Sequence, residues 1–385
     1  MSSAQSTQTS LRPHIVELGV GQPDPMLLPR DVIREATDAL LARTADGAPL
    51  AYGANAGPED LRLQLTQRIA ISEREPSPGE ILITGGNSQA LHELCALLAE
   101  PGDAVLVEAP SYNFALQILR ERRLQLVPVE MDDMGLVPDA VHEAVRNLRR
   151  KDIRVAFLYT IPTFHNPTGV SLADRRRREL LEVAANDELW ILEDDVYRDL
   201  FYSGSAPQSL WQLDDSQSVV RLGTFSKILA PGLRVGWMTG PTEIVGKLSD
   251  GGLRMSGGGV SHFSAMAVAQ LVTAGRLEPH LEKLRATYRS RRDALSAALR
   301  ELIPEAEYKV PSGGYFIWVK LPRSIDTQEL LPAAEKAGVA YVPGREFYGD
   351  NRGHNCARLS FTMYPTERLR EGVLSLRTAL AKFHP

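Results

Sequence analysis

"GTFSKILAPGLRVGW" (residues 223–237) sets Lys227 behind two hydroxyl residues, Thr224 and Ser226, and ahead of an apolar turn that leads to Arg234. Taken alone, Lys227 reads as well as a surface lysine as a reactive one. What precedes it carries more information. The stretch closes an apolar run, "SVVRLGTF" (218–225), and the upstream chain repeats that arrangement in "EILIT" (80–84), "AVLVE" (104–108), "QLVPVE" (125–130), "RVAFLYT" (154–160) and "LWILED" (189–194). Helical patterns such as "NSQALHELCALLAE" and "DRRRRELLEVAAND" separate these runs. Strands alternating with helices predict an α/β domain with a mainly parallel sheet covered on both faces.

Ligands of such sheets bind outside the carboxyl ends of the strands. Unusual residues gather there: Gly85, Gly86 and Asn87 in "TGGNSQAL", Tyr112 in "PSYNFAL", Asn166 in "HNPTG", Asp194 and Tyr197 in "EDDVYRDL", and Lys227. Two glycines before a helix let the backbone approach a ligand, and the free N–H groups of the first turn suit a phosphate. Each residue also has an ordinary reading, as a strand-to-helix turn, a packed tyrosine, a turn starter before Pro167 or an N-cap aspartate.

The rest of the chain narrows the class. Its 385 residues are 43% hydrophobic, enough for a substantial core, and the net charge of -5 gives no footprint for nucleic acid. The basic run "RRRR" (175–178) reads as a solvated helix face. Cys95 and Cys356 are too few for a disulfide framework, and His92, His142, His165, His262 and His354 lack metal-ligand spacing, so no metal is expected. The polar opening "MSSAQSTQTSLR" has no signal-peptide pattern, and no stretch approaches the roughly 18 apolar residues of a membrane span, which predicts a cytoplasmic protein. A long helical pattern (275–304) leads to a smaller α+β part with strands in "GGYFIWVKL", "GVAYVPG" and "ARLSFT" and a last helix in "PTERLREGVLSLRTALAKF".

Taken in order, these motifs resemble the fold-type I, class I/II pyridoxal-phosphate aminotransferases, from "LGVGQPDPMLLP" to "ARLSFT". The resemblance implies a large domain with a mainly parallel, seven-stranded-type sheet between helices and a smaller α+β domain. The expected divisions are a disordered polar terminus (1–12), a segment joining the small domain and the site (13–50), the large cofactor-binding domain (51–275) and the small domain (276–385). Lys227 would form the Schiff base with the cofactor aldehyde and shuttle a proton between the substrate Cα and the cofactor C4′ carbon. Thr224, Ser226, Arg234 and the backbone at Gly86, Asn87 and Ser88 would hold the phosphate. Asp194 would pair with the pyridine nitrogen, Asn166 and Tyr197 would bond the ring oxygen, and Tyr112 would stack on the ring.

By the same resemblance Arg358 would grip the substrate α-carboxylate, with Asn166 and Gly21 beside it. Tyr52 would reach the phosphate of a neighbouring subunit, which implies a homodimer with shared sites. Tyr315 and Arg345 are further candidates for the border of the side-chain pocket. The implied activity moves an amino group between an L-amino acid and a 2-oxo acid through pyridoxamine phosphate, with small molecules as partners and neither nucleic acid nor membrane. Rival readings are β-elimination or oxidative deamination with the same cofactor, and a ligand-sensing domain of a transcription regulator. The last would need a helix-turn-helix segment where the sequence has a dozen polar residues. The glycine-rich "RMSGGGVSHF" (254–263) departs from commoner members and leaves the side chain open, with a preference for a long one such as 2-aminoadipate.

Overall fold

In the computed structural model, which describes residues 11–43, 47–350 and 352–383, the six apolar runs become the strands Ile81–Thr84, Ala104–Ala109, Gln125–Asp132, Val155–Thr160, Trp190–Asp194 and Val219–Thr224. They belong to one sheet in the order 81–84, 236–239, 219–224, 190–194, 155–160, 104–109, 125–132, 135–136. The eighth member, Gly135–Leu136, is a two-residue return on the preceding strand, so seven longer strands carry the sheet. The neighbours from 219–224 through 125–132 are parallel. Ala104–Ala109 is buried along its whole length and Trp190–Asp194 from its second residue, as expected for strands covered on both faces.

One strand breaks the pattern. Gly236–Thr239 was not foreseen, and it runs antiparallel between Ile81–Thr84 and Val219–Thr224, with Gly236 opposite both Thr84 and Thr224. A short 3-10 turn, Pro231–Leu233, sends the chain straight back, so this strand starts at the edge where its neighbours end. The approach is close: a Cβ on Gly236 would stand 2.9 Å from the Gly223 carbonyl oxygen and 3.0 Å from the Gly86 Cα.

The helix Leu277–Leu302 leads to a four-stranded antiparallel sheet in the order 307–308, 316–320, 356–360, 342–343. "GVAYVPG" is two strands rather than one. Val339–Ala340 pairs in parallel with Val16–Glu17, while Val342–Pro343 pairs with the strand Cys356–Ser360. The N-terminal segment is thereby stitched to the C-terminal part. Of the expected polar terminus, residues 1–10 lie outside the described residues, and Arg12 bonds Glu17 at 2.6 Å and Glu335 at 2.9 Å. Among the described residues no helix is long and apolar enough to cross a membrane.

The "RRRR" run corrects its expectation. Arg175 and Arg178 are exposed, but Arg177 is fully buried, on the helix face that also buries Leu180. Its guanidinium donates to the carbonyls of Leu172 and Pro162 and to Thr163 Oγ1, which no solvated position would require.

A charged cluster closes the core behind the strand ends. Glu73, nearly fully buried, accepts from Arg198 at 2.8 Å and from Ser209 Oγ at 2.6 Å and pairs with Arg221, which also faces Asp195 at 2.9 Å. Burial opposes the Glu73 charge, but Arg221 and Arg198 outweigh it and hold the carboxyl down at about 2. Glu73→Gln leaves two buried guanidiniums short of a counter-charge and should cost about 3 kcal/mol, read as a lowered urea midpoint with unchanged slope.

Candidate active site

The carboxyl ends of the parallel strands converge on a cavity of about 440 Å³. Each strand delivers its own residue: Asn87 and Ser88 follow Thr84, Tyr112 follows Ala109, Asn166 follows Thr160, Asp194 ends its strand, and Ser226 and Lys227 follow Thr224. The antiparallel strand delivers Arg234 from its amino end to the same place. Gly21 comes from the N-terminal segment and Arg358 from the second sheet.

Arg234, Thr224, Ser226 and the start of the helix Asn87–Leu98 form one corner. Arg234 Nη2 donates to the Gly85 carbonyl at 2.8 Å, and Thr224 Oγ1 donates to Ser226 Oγ at 3.0 Å. Gly86 caps the helix with a φ of 95°, and a Cβ there would stand 2.6 Å from Arg234 Nη2. Only glycine meets both demands. Arg234 itself has a φ of 52°, a left-handed conformation that the flanking turn imposes on a non-glycine residue.

Asp194 lies deeper. Its Oδ1 accepts from Asn87 Nδ2 at 2.9 Å and its Oδ2 from the Tyr159 hydroxyl at 2.6 Å. Burial raises this carboxyl to about 6, against the pull of those two donors. Lys227 Nζ donates to the Gly21 carbonyl at 2.8 Å and stands 5.4 Å from the Tyr315 ring centre. Burial lowers the amine to about 8, helped by Arg358 and Arg234 and resisted by Asp194. A fraction of it is therefore neutral, and nucleophilic, near neutral pH. Tyr197 is buried and its phenol is pushed well up, chiefly by that burial.

At the far end Arg358, only 5% exposed, donates through Nη1 to Asn166 Oδ1 and through Nη2 to the Gly19 carbonyl, both at 2.8 Å. Its guanidinium stacks 4.0 Å from Phe316 and 4.9 Å from Phe347. Burial lowers it to about 10, so it stays charged at neutral pH.

Two expected residues do not line the cavity. Gly86 lies behind Arg234, and Tyr52 is 89% exposed beside a separate cavity of about 380 Å³ that Gly257 and His262 also line. Among the weaker candidates, Tyr315 donates to the Lys227 carbonyl at 2.9 Å, Arg345 pairs with Asp326 away from the site, and His165 bonds Thr168 locally while its Nε2 faces Glu108 at 3.1 Å. Tyr159, Phe114, Ile161 and Phe316 were missed. The one signal for Tyr159 was a hydroxyl inside an apolar strand, which must find a partner when buried.

This arrangement has close parallels. The profile of the family described as "Aminotransferase class I and II" matches residues 13–376. The chain is 37% identical to aromatic-amino-acid aminotransferase 1 of Thermococcus litoralis, over 94% of this chain and 87% of that one. It is 34% identical to the 2-aminoadipate transaminase of Thermus thermophilus, over 96% and 91%. The crystal structure of a Pyrococcus horikoshii kynurenine aminotransferase, solved with PMP, superposes with a TM-score of 0.91 at 37% identity, over 98% of this chain and 92% of that one. The chain belongs to the class I and II aminotransferases, pyridoxal-phosphate-dependent enzymes that transfer amino groups between amino acids and 2-oxo acids.

Proposed function

We propose that this aminotransferase holds pyridoxal phosphate with its phosphate in the Arg234 corner, its ring nitrogen at Asp194 and its aldehyde at Lys227, and that it acts on amino acids with apolar or aromatic side chains. The observation that carries the reading is the convergence of Lys227, Asp194, Arg234 and Arg358 on one cavity. The donor set fits the cofactor independently of kinship. A helix start, two hydroxyls and a guanidinium suit a dianion, and the absence of a Gly86 side chain lets Arg234 sit against that helix start. Ser88 adds to that corner, Asn166 and Tyr197 would bond the ring oxygen, and Tyr112 would cover the ring.

Bound pyridoxal phosphate supplies an aldehyde carbon and an electron-accepting ring. The chain's own residues do the rest. Arg358 takes the substrate α-carboxylate in its planar fork, between Asn166 and the backbone near Gly21, and so orients Cα toward Lys227. Lys227 Nζ, part neutral at working pH, removes the Cα proton and is the base best placed to move it. Asp194, held by two donors, keeps a negative charge where the ring nitrogen would sit.

The substrate preference rests on the wall. Tyr112, Phe114, Ile161 and Phe316 line the cavity, and Lys227, Arg234 and Arg358 are its only lysine or arginine residues among the described ones. All three have assigned tasks, so none remains for a second carboxylate. Kinship with the Thermococcus aromatic-amino-acid enzyme points the same way. The similarity to the Thermus 2-aminoadipate enzyme favours the other reading, a long acidic side chain. We also propose a homodimer. Tyr52 and Leu50 are both exposed beside the cavity that Gly257 and His262 line, and a second copy covering that surface would carry Tyr52 to its neighbour's phosphate corner.

Mixing the cofactor-loaded protein with L-phenylalanine and no acceptor should yield one equivalent of 2-oxo acid and leave pyridoxamine phosphate, with L-2-aminoadipate converted at least roughly tenfold more slowly. The reverse order supports the acidic side chain, and sustained ammonia release overturns transamination. Arg358→Lys should raise KM for amino and oxo acids together by roughly 10- to 100-fold while the cofactor stays bound, because an ammonium has no planar fork. For the dimer, hybrids of Lys227→Ala and Tyr52→Phe chains should exceed the mean activity of the parents, since one of the two sites is then intact. No gain on mixing places Tyr52 outside the neighbour's site.

A further inference from the structure

We propose that Tyr159 is a positioning residue whose hydroxyl, together with the Asn87 amide, clamps the two oxygens of Asp194 so that the carboxylate stays ionised and aimed at the ring nitrogen of bound pyridoxal phosphate. The proposal rests on the assignment of Asp194 to that nitrogen. Its basis is geometric. Each carboxylate oxygen has one donor, Asn87 Nδ2 at 2.9 Å on Oδ1 and Tyr159 Oη at 2.6 Å on Oδ2, and the two donors come from different elements. Tyr159 is rooted in the strand next to that of Asp194, and Asn87 opens the helix at the phosphate corner. The carboxylate can therefore neither rotate nor withdraw without breaking a charge-assisted bond, and about two of its roughly four lone-pair sites remain for the cofactor.

Toward Asp194 the phenol stays protonated and donates. Tyr159 is fully buried, and burial and the facing Asp194 push its pKa well up, with Tyr112 and Glu108 adding to the effect. For Asp194, burial pushes upward, the Tyr159 and Asn87 bonds pull downward, Asp195 adds to the rise and Lys227 opposes it. Without the phenol, burial meets less opposition and the carboxyl moves toward the neutral acid, which offers no charge to a protonated ring nitrogen. Phenylalanine fills the same space, so packing alone does not require the hydroxyl.

The test uses the full-length chain, freed of cofactor and titrated with pyridoxal phosphate and with the carbocyclic analogue that has C–H in place of the ring nitrogen. The wild-type chain should prefer pyridoxal phosphate. In Tyr159→Phe that preference should shrink by roughly tenfold, the worth of one hydrogen bond to a charged group, with the analogue's affinity unchanged. In an Asp194→Ala background, Tyr159→Phe should change neither affinity further. An undiminished preference in Tyr159→Phe overturns the proposal and leaves the assignment of Asp194 standing. A further loss in the Asp194→Ala background, or a Tyr159→Phe chain that does not fold, shows a packing role and overturns it as well. A wild-type chain with no preference overturns the assignment of Asp194 itself, and the proposal with it.

Discussion

The site depends on one strand that runs against its neighbours. Gly236–Thr239 lies between Ile81–Thr84 and Val219–Thr224, and its direction brings Arg234 to the edge where those strands end. A parallel strand would have left that arginine at the opposite edge. The close approach of Gly86, Gly223 and Gly236 permits the arrangement, since a Cβ on Gly223 would stand 2.3 Å from the Trp237 ring. Backbone fills the space that side chains would take, and the guanidinium reaches the helix start because of it.

Around that corner the molecule distributes charge by burial and partner. Lys227 is lowered and Asp194 raised, both mainly by burial. Behind them Glu73, Asp195, Arg198 and Arg221 form a cluster in which each charge faces an opposite one. Asp194 and Asp195 are adjacent in sequence and face different surroundings. Asp195 meets the arginines of the cluster, whereas Asp194 meets an amide and a phenol and is left with capacity for a ligand.

Most of the parallel sheet was legible because buried strands leave apolar runs, and the six runs match the observed strands to within two residues at either end. Gly236–Thr239 escaped notice because Gly-Trp-Met-Thr is short and follows the Lys227 stretch without a helix between. "GVAYVPG" read as one strand because nothing local marks the switch of pairing partner at Tyr341. Arg177 was read as solvated because three other arginines surround it, and only the packing of its helix decides which of the four turns inward.

The sequence by itself determined the alternation of strands and helices, the family resemblance and the chemical types at the strand ends. These depend on local patterning and on motif order, which a linear chain carries. Only the tertiary structure decided that Tyr159 and Asn87 share Asp194, that Arg358 stacks on Phe316 beside Asn166, and that Tyr52 stands apart from the cavity of its own chain. Those facts join residues far apart in sequence, and strand register, strand direction and burial set their distances and charge states.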